Sequence, residues 1–166
     1  MTKYKNITEE LLVTFFYVGK IKYAPGTFGS MGGLLILFLP EYLIWQAAVI
    51  LLVLLFGISI NPIKRYEILK GNDHSSIVID EVIGMMIPFA NPFIIISPFW
   101  VISAFILFRI FDILKPYPIN KLNEKKGAIF VLLDDVLAGV FTMVILQLLQ
   151  LGYRISPFFL TFFEII

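Results

Sequence analysis

No cysteine occurs in this chain, and histidine occurs once, at position 74. The first absence excludes disulfides, a thiolate nucleophile and cysteine-ligated metal. The two together leave too little sulfur and nitrogen for an ordinary zinc site. Charge is scarce as well: Asp, Glu, Lys and Arg make up 15% of the residues, against about 25% in a typical soluble domain. The formal net charge of +1 gives no basic face for nucleic acid, so none is expected as a partner. A cleavable leader is not expected either. The first apolar run (11–18) is short, follows Glu9 and Glu10, and lacks a small-x-small site.

Apolar residues fill the space that charge leaves, at 59% of the 166 positions. "YLIWQAAVILLVLLFGISI" (42–60) has no formal charge and exceeds the roughly 18 residues that mark a spanning helix. "PFIIISPFWVISAFILFRIF" (92–111) and "VLAGVFTMVILQLLQLG" (136–152) are of similar quality. The fold class expected is all-α: a single multi-pass membrane bundle over 1–166, with about five hydrophobic helices, one or two of them short. An amphipathic helix, "ITEELLVTFFYVG", belongs to a polar N-terminal stretch over 1–22. A turn-rich segment, "YAPGTFGSMGG" (23–33), then leads into a short apolar run at 34–39. The second hydrophobic helix covers 42–60 and ends at Asn61-Pro62, followed by a polar loop at 64–76. A half-length third helix (77–89), a fourth over about 93–114, a polar loop at 119–128 and a fifth helix over about 129–151 complete the pattern. The tail 153–166 is apolar and too short to span.

Lysine and arginine set the orientation. Lys3, Lys5, Lys20, Lys22, Lys64, Arg65, Lys70, Lys115, Lys121, Lys125 and Lys126 fall on one side, and Arg154 alone on the other. The basic side is therefore cytoplasmic. The carboxylates map to the same level. Asp73 lies in the first polar loop, Asp80 and Glu81 open the third helix, Asp112 closes the fourth, and Asp134 and Asp135 sit near the start of the fifth. Singly, each has a structural explanation, as an acid favoured at a helix N-terminus or as Asp112 paired with Arg109 or Lys115. Two adjacent-acid pairs on apolar helices would nevertheless repel unless a cation lies between them, and acids within membrane segments mark function by default. Oxygen-only ligands suit a hard ion such as Mg2+, and Mg2+ points to a phosphorylated substrate, with Arg109 and Lys115 to hold its oxygens. Gly84 and Gly139 lie one turn beyond Asp80 and Asp135, so the two helices can approach closely there. "APGTFGS" precedes a helix, with Thr27 and Ser30 as candidate N-caps, and such a start is either an anion site or an ordinary helix beginning. His74 is either a proton carrier beside Asp73 or a loop residue at the headgroup level.

"APGTFGSMGG", "NDHSSIVIDEVIGM", "FRIFDILKPYPI" and "LDDVLAGV", in this order over residues 24–140, resemble the phosphatidylglycerophosphatase A family of bacterial membrane lipid phosphatases. Ser30-Met31 and Ser75-Ser76 stand where that family more often has Thr-Leu and a glycine. The resemblance implies Mg2+-dependent removal of the terminal phosphate of phosphatidylglycerophosphate, giving phosphatidylglycerol, at the cytoplasmic face of the bacterial inner membrane. It also implies Asp73, His74, Asp80, Glu81, Asp112, Lys115, Asp134 and Asp135 as site residues, with Gly26, Thr27 and Gly29 in the glycine segment. On this expectation Asp80, Glu81, Asp134 and Asp135 hold one or two Mg2+ ions, Lys115 and Arg109 neutralise phosphate charge, and Asp73 or His74 moves the proton. Attack by water is preferred to a covalent aspartyl-phosphate, because no Asp-x-Asp-x-Thr motif is present. The alternatives are an ion transporter with the acids as its relay, a non-catalytic membrane scaffold, and another metal-dependent lipid phosphoryl-transfer enzyme. The oligomeric state is left open.

Overall fold

A computed structural model describes residues 6–155, and among them every regular element is helical. Helix α1 (Ile7–Val13) is shorter than the expected amphipathic helix. The chain leaves it through Phe15, Phe16 and Tyr17, with φ of 41°, 54° and 67°, a left-handed run that no α-helix continues through. A 3-10 turn, Val18–Lys20, follows. The Val78 N–H donates to the Val13 carbonyl at 3.1 Å, tying this start to the polar loop before the third hydrophobic segment.

The glycine segment is a helix, not a turn: α2 spans Pro25–Gly33 and runs on as a 3-10 turn, Leu34–Phe38. Pro25 takes the first helical position, where its missing N–H costs nothing. The N-cap is Ala24, in the left-handed region at φ 49°; the candidate caps Thr27 and Ser30 both lie inside the helix, where the Ser30 hydroxyl donates to the Gly26 carbonyl at 2.9 Å. Each glycine in a helix costs about 1 kcal/mol, and tight packing offsets it. A Cβ at Gly29 would lie 2.8 Å from the Val78 Cβ, and one at Gly33 2.7 Å from the Val82 carbonyl.

The largest departure is α3, Glu41–Lys70, which runs through Pro62 for 30 residues. Most of the expected polar loop 64–76 is therefore its last two turns. A helical proline costs about 3 kcal/mol. Here the turns beyond it are held by packing, with Pro62, Ile63, Tyr66 and Glu67 all buried and Arg65 paired with Glu9 of α1. Helix α4 (Ile79–Met86) and a 3-10 turn, Ile87–Ala90, form the expected half-length segment. Helix α5 is Pro98–Leu114 and starts later than 93, because the residue before a proline is pushed to extended backbone; Ser97 sits at φ −146°, ψ 161°. The Gln150 side chain satisfies the strand-like stretch before it, accepting from the Ile95 N–H at 2.9 Å and donating to the Ile95 carbonyl at 3.0 Å. A short helix, α6 (Ile119–Asn123), occupies the second polar loop, and α7 spans Ala128–Ile155. Lys3, Lys5 and tail residues 156–166 lie outside the described residues.

Helix α4 lies at the centre, between α2 and α7, with α3 and α5 packed around this core. Two helices, α3 and α7, are long and apolar enough to cross a membrane. The apolar side chains of α3 point outward, with Val53 70% and Leu54 54% exposed. A water-facing surface of that kind would be an aggregation liability, so the chain is membrane-associated.

Candidate active site

The site begins where α4 and α7 touch. A Cβ at Gly84 would lie 2.7 Å from the Asp135 carbonyl, and one at Gly139 would collide with the Gly84 carbonyl. Small residues therefore bring the two backbones together, as the sequence spacing anticipates. Each helix carries its acid pair in the same local arrangement. The first carboxylate accepts the N–H of the second residue, Glu81 to Asp80 on α4 and Asp135 to Asp134 on α7, both at 3.1 Å.

Close approach gathers Asp80, Glu81 and Asp135, whose carboxylate oxygens lie within 4.8 Å of one another. Asp80 and Asp135 are 6% and 3% exposed, so water does little to screen them. Two like charges about 4 Å apart repel by about 4 kcal/mol at an effective dielectric of about 20. Three carboxylates at such spacing require protons or a cation among them. One Glu81 oxygen, Oε2, is buried with no hydrogen-bond partner among the described residues. Unsatisfied buried acceptors are rare, and an all-oxygen set with a free, inward carboxylate oxygen fits a hard divalent cation such as Mg2+.

Asp134 faces elsewhere. It pairs with Lys115, which also donates to the Asn123 side chain at 2.6 Å. Lys115 ends α5 in the left-handed region, at φ 43°, and this turn ahead of Pro116 lets its ammonium reach back to α7. Burial alone would lower the Lys115 pKa, but the hydrogen bond and charge of Asp134, with Asp135 and Asp112 behind it, raise it above 10.5. The lysine is a fixed cation.

Arg109 forms the second basic element. Its Nη1 donates to Asp112 at 2.5 Å and to the Ser30 hydroxyl at 3.1 Å, while Nε is buried without a partner among the described residues. Gly26 is the point of convergence. A Cβ there would collide with the Glu81 carboxylate and come within 3.3 Å of Arg109 Nη1. Thr27 lies in the first turn of α2, its N–H donating to the Ala24 carbonyl at 3.0 Å. Gly29 packs on Val78, at the root of α4.

The loop between α3 and α4 supplies Asp73 and His74. Asp73 is left-handed, at φ 47°, and held there by Glu67, whose Oε1 accepts its N–H at 3.1 Å. Its charge acts on both Asp80 and Asp134. His74 Nδ1 accepts the Ser76 N–H at 3.2 Å. A backbone N–H only donates, so this places the ring proton of the neutral imidazole on Nε2. The Ser76 hydroxyl, 2.6 Å from Nδ1, then donates to the ring and accepts from Tyr66, 3.0 Å away. A cleft of about 200 Å3 opens beside this loop, lined by Glu67, Asp73 and Asp134 below and by Asn123, Lys125 and Lys126 at its rim.

Sequence reasoning named the acids of the cluster and its neighbours Asp73, Asp112 and Asp134. It missed Glu67, Tyr66, Ser76 and Asn123, which touch site residues rather than carry the pattern, and read Ser30 as a helix cap rather than a partner of Arg109. For Glu67 the only available signal was the i,i+3 spacing from Lys64 to Glu67 to Lys70, readable once α3 is known to pass Pro62.

Comparison with known proteins gives the family. The family model for Phosphatidylglycerophosphatase A matches residues 11–150. Proteins named Phosphatidylglycerophosphatase A from Haemophilus influenzae and Escherichia coli are 36% and 35% identical, covering 84% and 82% of this chain and 87% and 80% of their own lengths. A Bacteroides thetaiotaomicron protein provisionally named a phosphatidylinositol-3-phosphatase is 37% identical over 82% of this chain and 89% of its own length. No solved structure matches. With the carboxylate cluster and its two basic partners inside the matched segment, the chain belongs to the phosphatidylglycerophosphatase A family.

Proposed function

We propose that this protein hydrolyses the terminal phosphate of phosphatidylglycerophosphate, giving phosphatidylglycerol and phosphate, with Mg2+ and at the cytoplasmic face of a bacterial inner membrane. Family membership makes it a phosphatase acting on a phosphate monoester. The observation that carries the metal reading is the Asp80–Glu81–Asp135 cluster with its unpartnered Glu81 oxygen.

Asp80, Glu81 and Asp135 hold the cation in this reading. When bound, it polarises a phosphate oxygen and lowers the pKa of an attacking water. Lys115, locked between Asp134 and Asn123, neutralises charge on the phosphate oxygens. Asp134 thereby positions Lys115 instead of serving as a fourth ligand, which refines the expectation drawn from the sequence. Arg109, anchored by Asp112 and Ser30, has an Nε–H without a partner among the described residues, available to a second phosphate oxygen. His74, with Nδ1 engaged, offers Nε2–H as the proton donor to the leaving alkoxide, and Asp73 beside it takes the proton of the incoming water and restores it to Nε2.

The membrane side follows from charge. Lys70 at the end of α3, Lys115 at the end of α5, and Lys125 and Lys126 just before α7 lie at the helix ends next to which the acids of α4 and α7 begin, and such an excess faces the cytoplasm. The decisive assay is phosphate release from phosphatidylglycerophosphate by purified protein in detergent. Activity abolished by EDTA and restored by Mg2+ is expected; no release at saturating Mg2+ overturns the reading. Phosphatidylinositol 3-phosphate belongs in the same assay, because one relative is named for it.

A further inference from the structure

One turn along the helices that carry the acid cluster lies a second cavity of opposite character. It holds about 440 Å3 and is lined by apolar side chains of three elements, among them Val53 on α3, Ile83 and Ile87 on α4 and its 3-10 extension, and Leu133 and Val136 on α7. Gly57 on α3 forms part of its wall, and nothing lies within 4 Å of where a Gly57 Cβ would stand. The groove's lining residues on α4 and α7 neighbour the cluster acids along both helices. Ile83 follows Asp80 by three positions, one helical turn, and Leu133 and Val136 bracket Asp134 and Asp135. Ile87 carries the groove one further turn from the acids, and Val53, 70% exposed, marks its open side.

We propose that this groove is the subsite for one acyl chain of the lipid substrate. The inference rests on the lipid-phosphatase reading above. An occupant must be apolar along its length and carry an anionic phosphate at one end, because the groove is lined by apolar side chains and the two helices that build it carry the carboxylate cluster within a turn, with Lys115 and Arg109 close to those acids. An acyl chain of a lipid phosphomonoester has that chemistry, and its entry from the side needs no passage through water. The groove sets the depth of the lipid. With the chain seated between α3 and α7, the headgroup stands at the level of Asp80 and Asp135. The absent side chain of Gly57 keeps the channel open, since a residue with no steric neighbour on a long helix has no packing reason to be glycine.

The test is photolabelling in phosphatidylcholine vesicles with phosphatidylglycerophosphate carrying a diazirine midway along one chain. The expected result is labelling on the Val53–Gly57 turn that excess unlabelled phosphatidylglycerophosphate displaces and added phosphatidylcholine does not. In Gly57→Leu, which fills open space instead of colliding, that labelling falls. The kcat/KM for long-chain relative to dihexanoyl substrate falls about tenfold, equivalent to about two fewer sheltered methylenes. Leu54→Phe, on the outward face of the same helix, leaves both readings unchanged. Labelling displaced equally by phosphatidylcholine, or a Gly57→Leu protein with an unaltered chain-length ratio, overturns the proposal. Labelling is read without turnover, so a protein that binds the lipid phosphate here but releases no phosphate tells against the hydrolase reading and not against the groove.

Discussion

Helices α3 and α7 pass the same test for a membrane span, with mean hydropathies of 2.6 and 2.3, yet 17% of one apolar window and 44% of the other are buried inside the protein. Helix α7 is inserted among α4, α5 and α6 and spends its small residues on contact: Ala138 and Gly139 are buried, and the Gly139 backbone meets Gly84. Helix α3 keeps its middle turns for lipid, and the glycine there meets nothing. Helix α7 is wedged, so it can hold two carboxylates where water does not reach. Helix α3 places its buried acid, Glu67, only after Pro62, beyond the apolar stretch. Apolar composition brings a helix into the membrane; small residues at i,i+4 decide whether it enters the protein core.

The widest gap between the two helices is expected for the acids. Asp135→Asn should lower phosphatase activity about 100-fold or more while leaving helical circular dichroism intact, since on the proposed reading it removes a cation ligand and relieves repulsion together. The Asp80→Asn protein should behave alike, and full activity in either would sink the cluster as the metal site.

The next largest contrast is between glycines. Gly139→Val, forced against the Gly84 carbonyl and Ile87, should cost about 1–3 kcal/mol by overpacking. Gly57→Ala on α3 should instead stabilise by about 0.5–1 kcal/mol through helix propensity. Thermal unfolding in detergent reads both, and equal effects would remove the distinction between wedged and lipid-facing helix.

Ion pairs give a smaller difference. Lys115→Met leaves Asp134, whose side chain is 5% exposed, without its partner. Breaking a fully buried pair costs about 3–5 kcal/mol; the Lys115 side chain is 24% exposed, so about 1–3 kcal/mol is expected, with lost activity. The Arg65–Glu9 pair at the end of α3 has a 62% exposed arginine, and Arg65→Met should cost under about 1 kcal/mol. The pH dependence follows the raised Lys115 pKa. A raised cation pKa means the stabilisation is complete below 10.5 and is lost only as pH climbs through the still higher folded value. A stability loss between pH 7 and 10 that disappears in Lys115→Met would contradict that sign.

The smallest effects belong to the outward face of α3. Leu54→Ala should shift stability within about 0.5 kcal/mol, because its side chain, 54% exposed, loses lipid and not protein.

Much of the site was legible because membrane sequence tolerates so few acids. Asp80, Glu81, Asp112, Asp134 and Asp135 stand out against apolar runs, and the glycines one turn beyond Asp80 and Asp135 give the helix contact away. Helix limits were less legible. Pro62 reads as a terminator and "PGTFGSMGG" as a turn, because local propensity opposes helix in both; α3 and α2 form regardless, since burial of Ile63 and Tyr66 and backbone-to-backbone packing on α4 outweigh a few kcal/mol of local cost. Tyr66, Ser76 and Asn123 carry no periodicity that singles them out, and their part depends on distances between elements.

The sequence by itself determined an all-helical, membrane-associated chain with carboxylates set into apolar helices near two basic residues, because hydropathy and the scarcity of charge are properties of residues one at a time. Only the tertiary structure decided how the carboxylates divide, with Asp80, Glu81 and Asp135 gathered together and Asp134 drawn off to Lys115. Adjacent residues on a helix point about 100° apart, so which of two neighbouring acids meets a given partner is settled by how α4, α5 and α7 are rotated and packed.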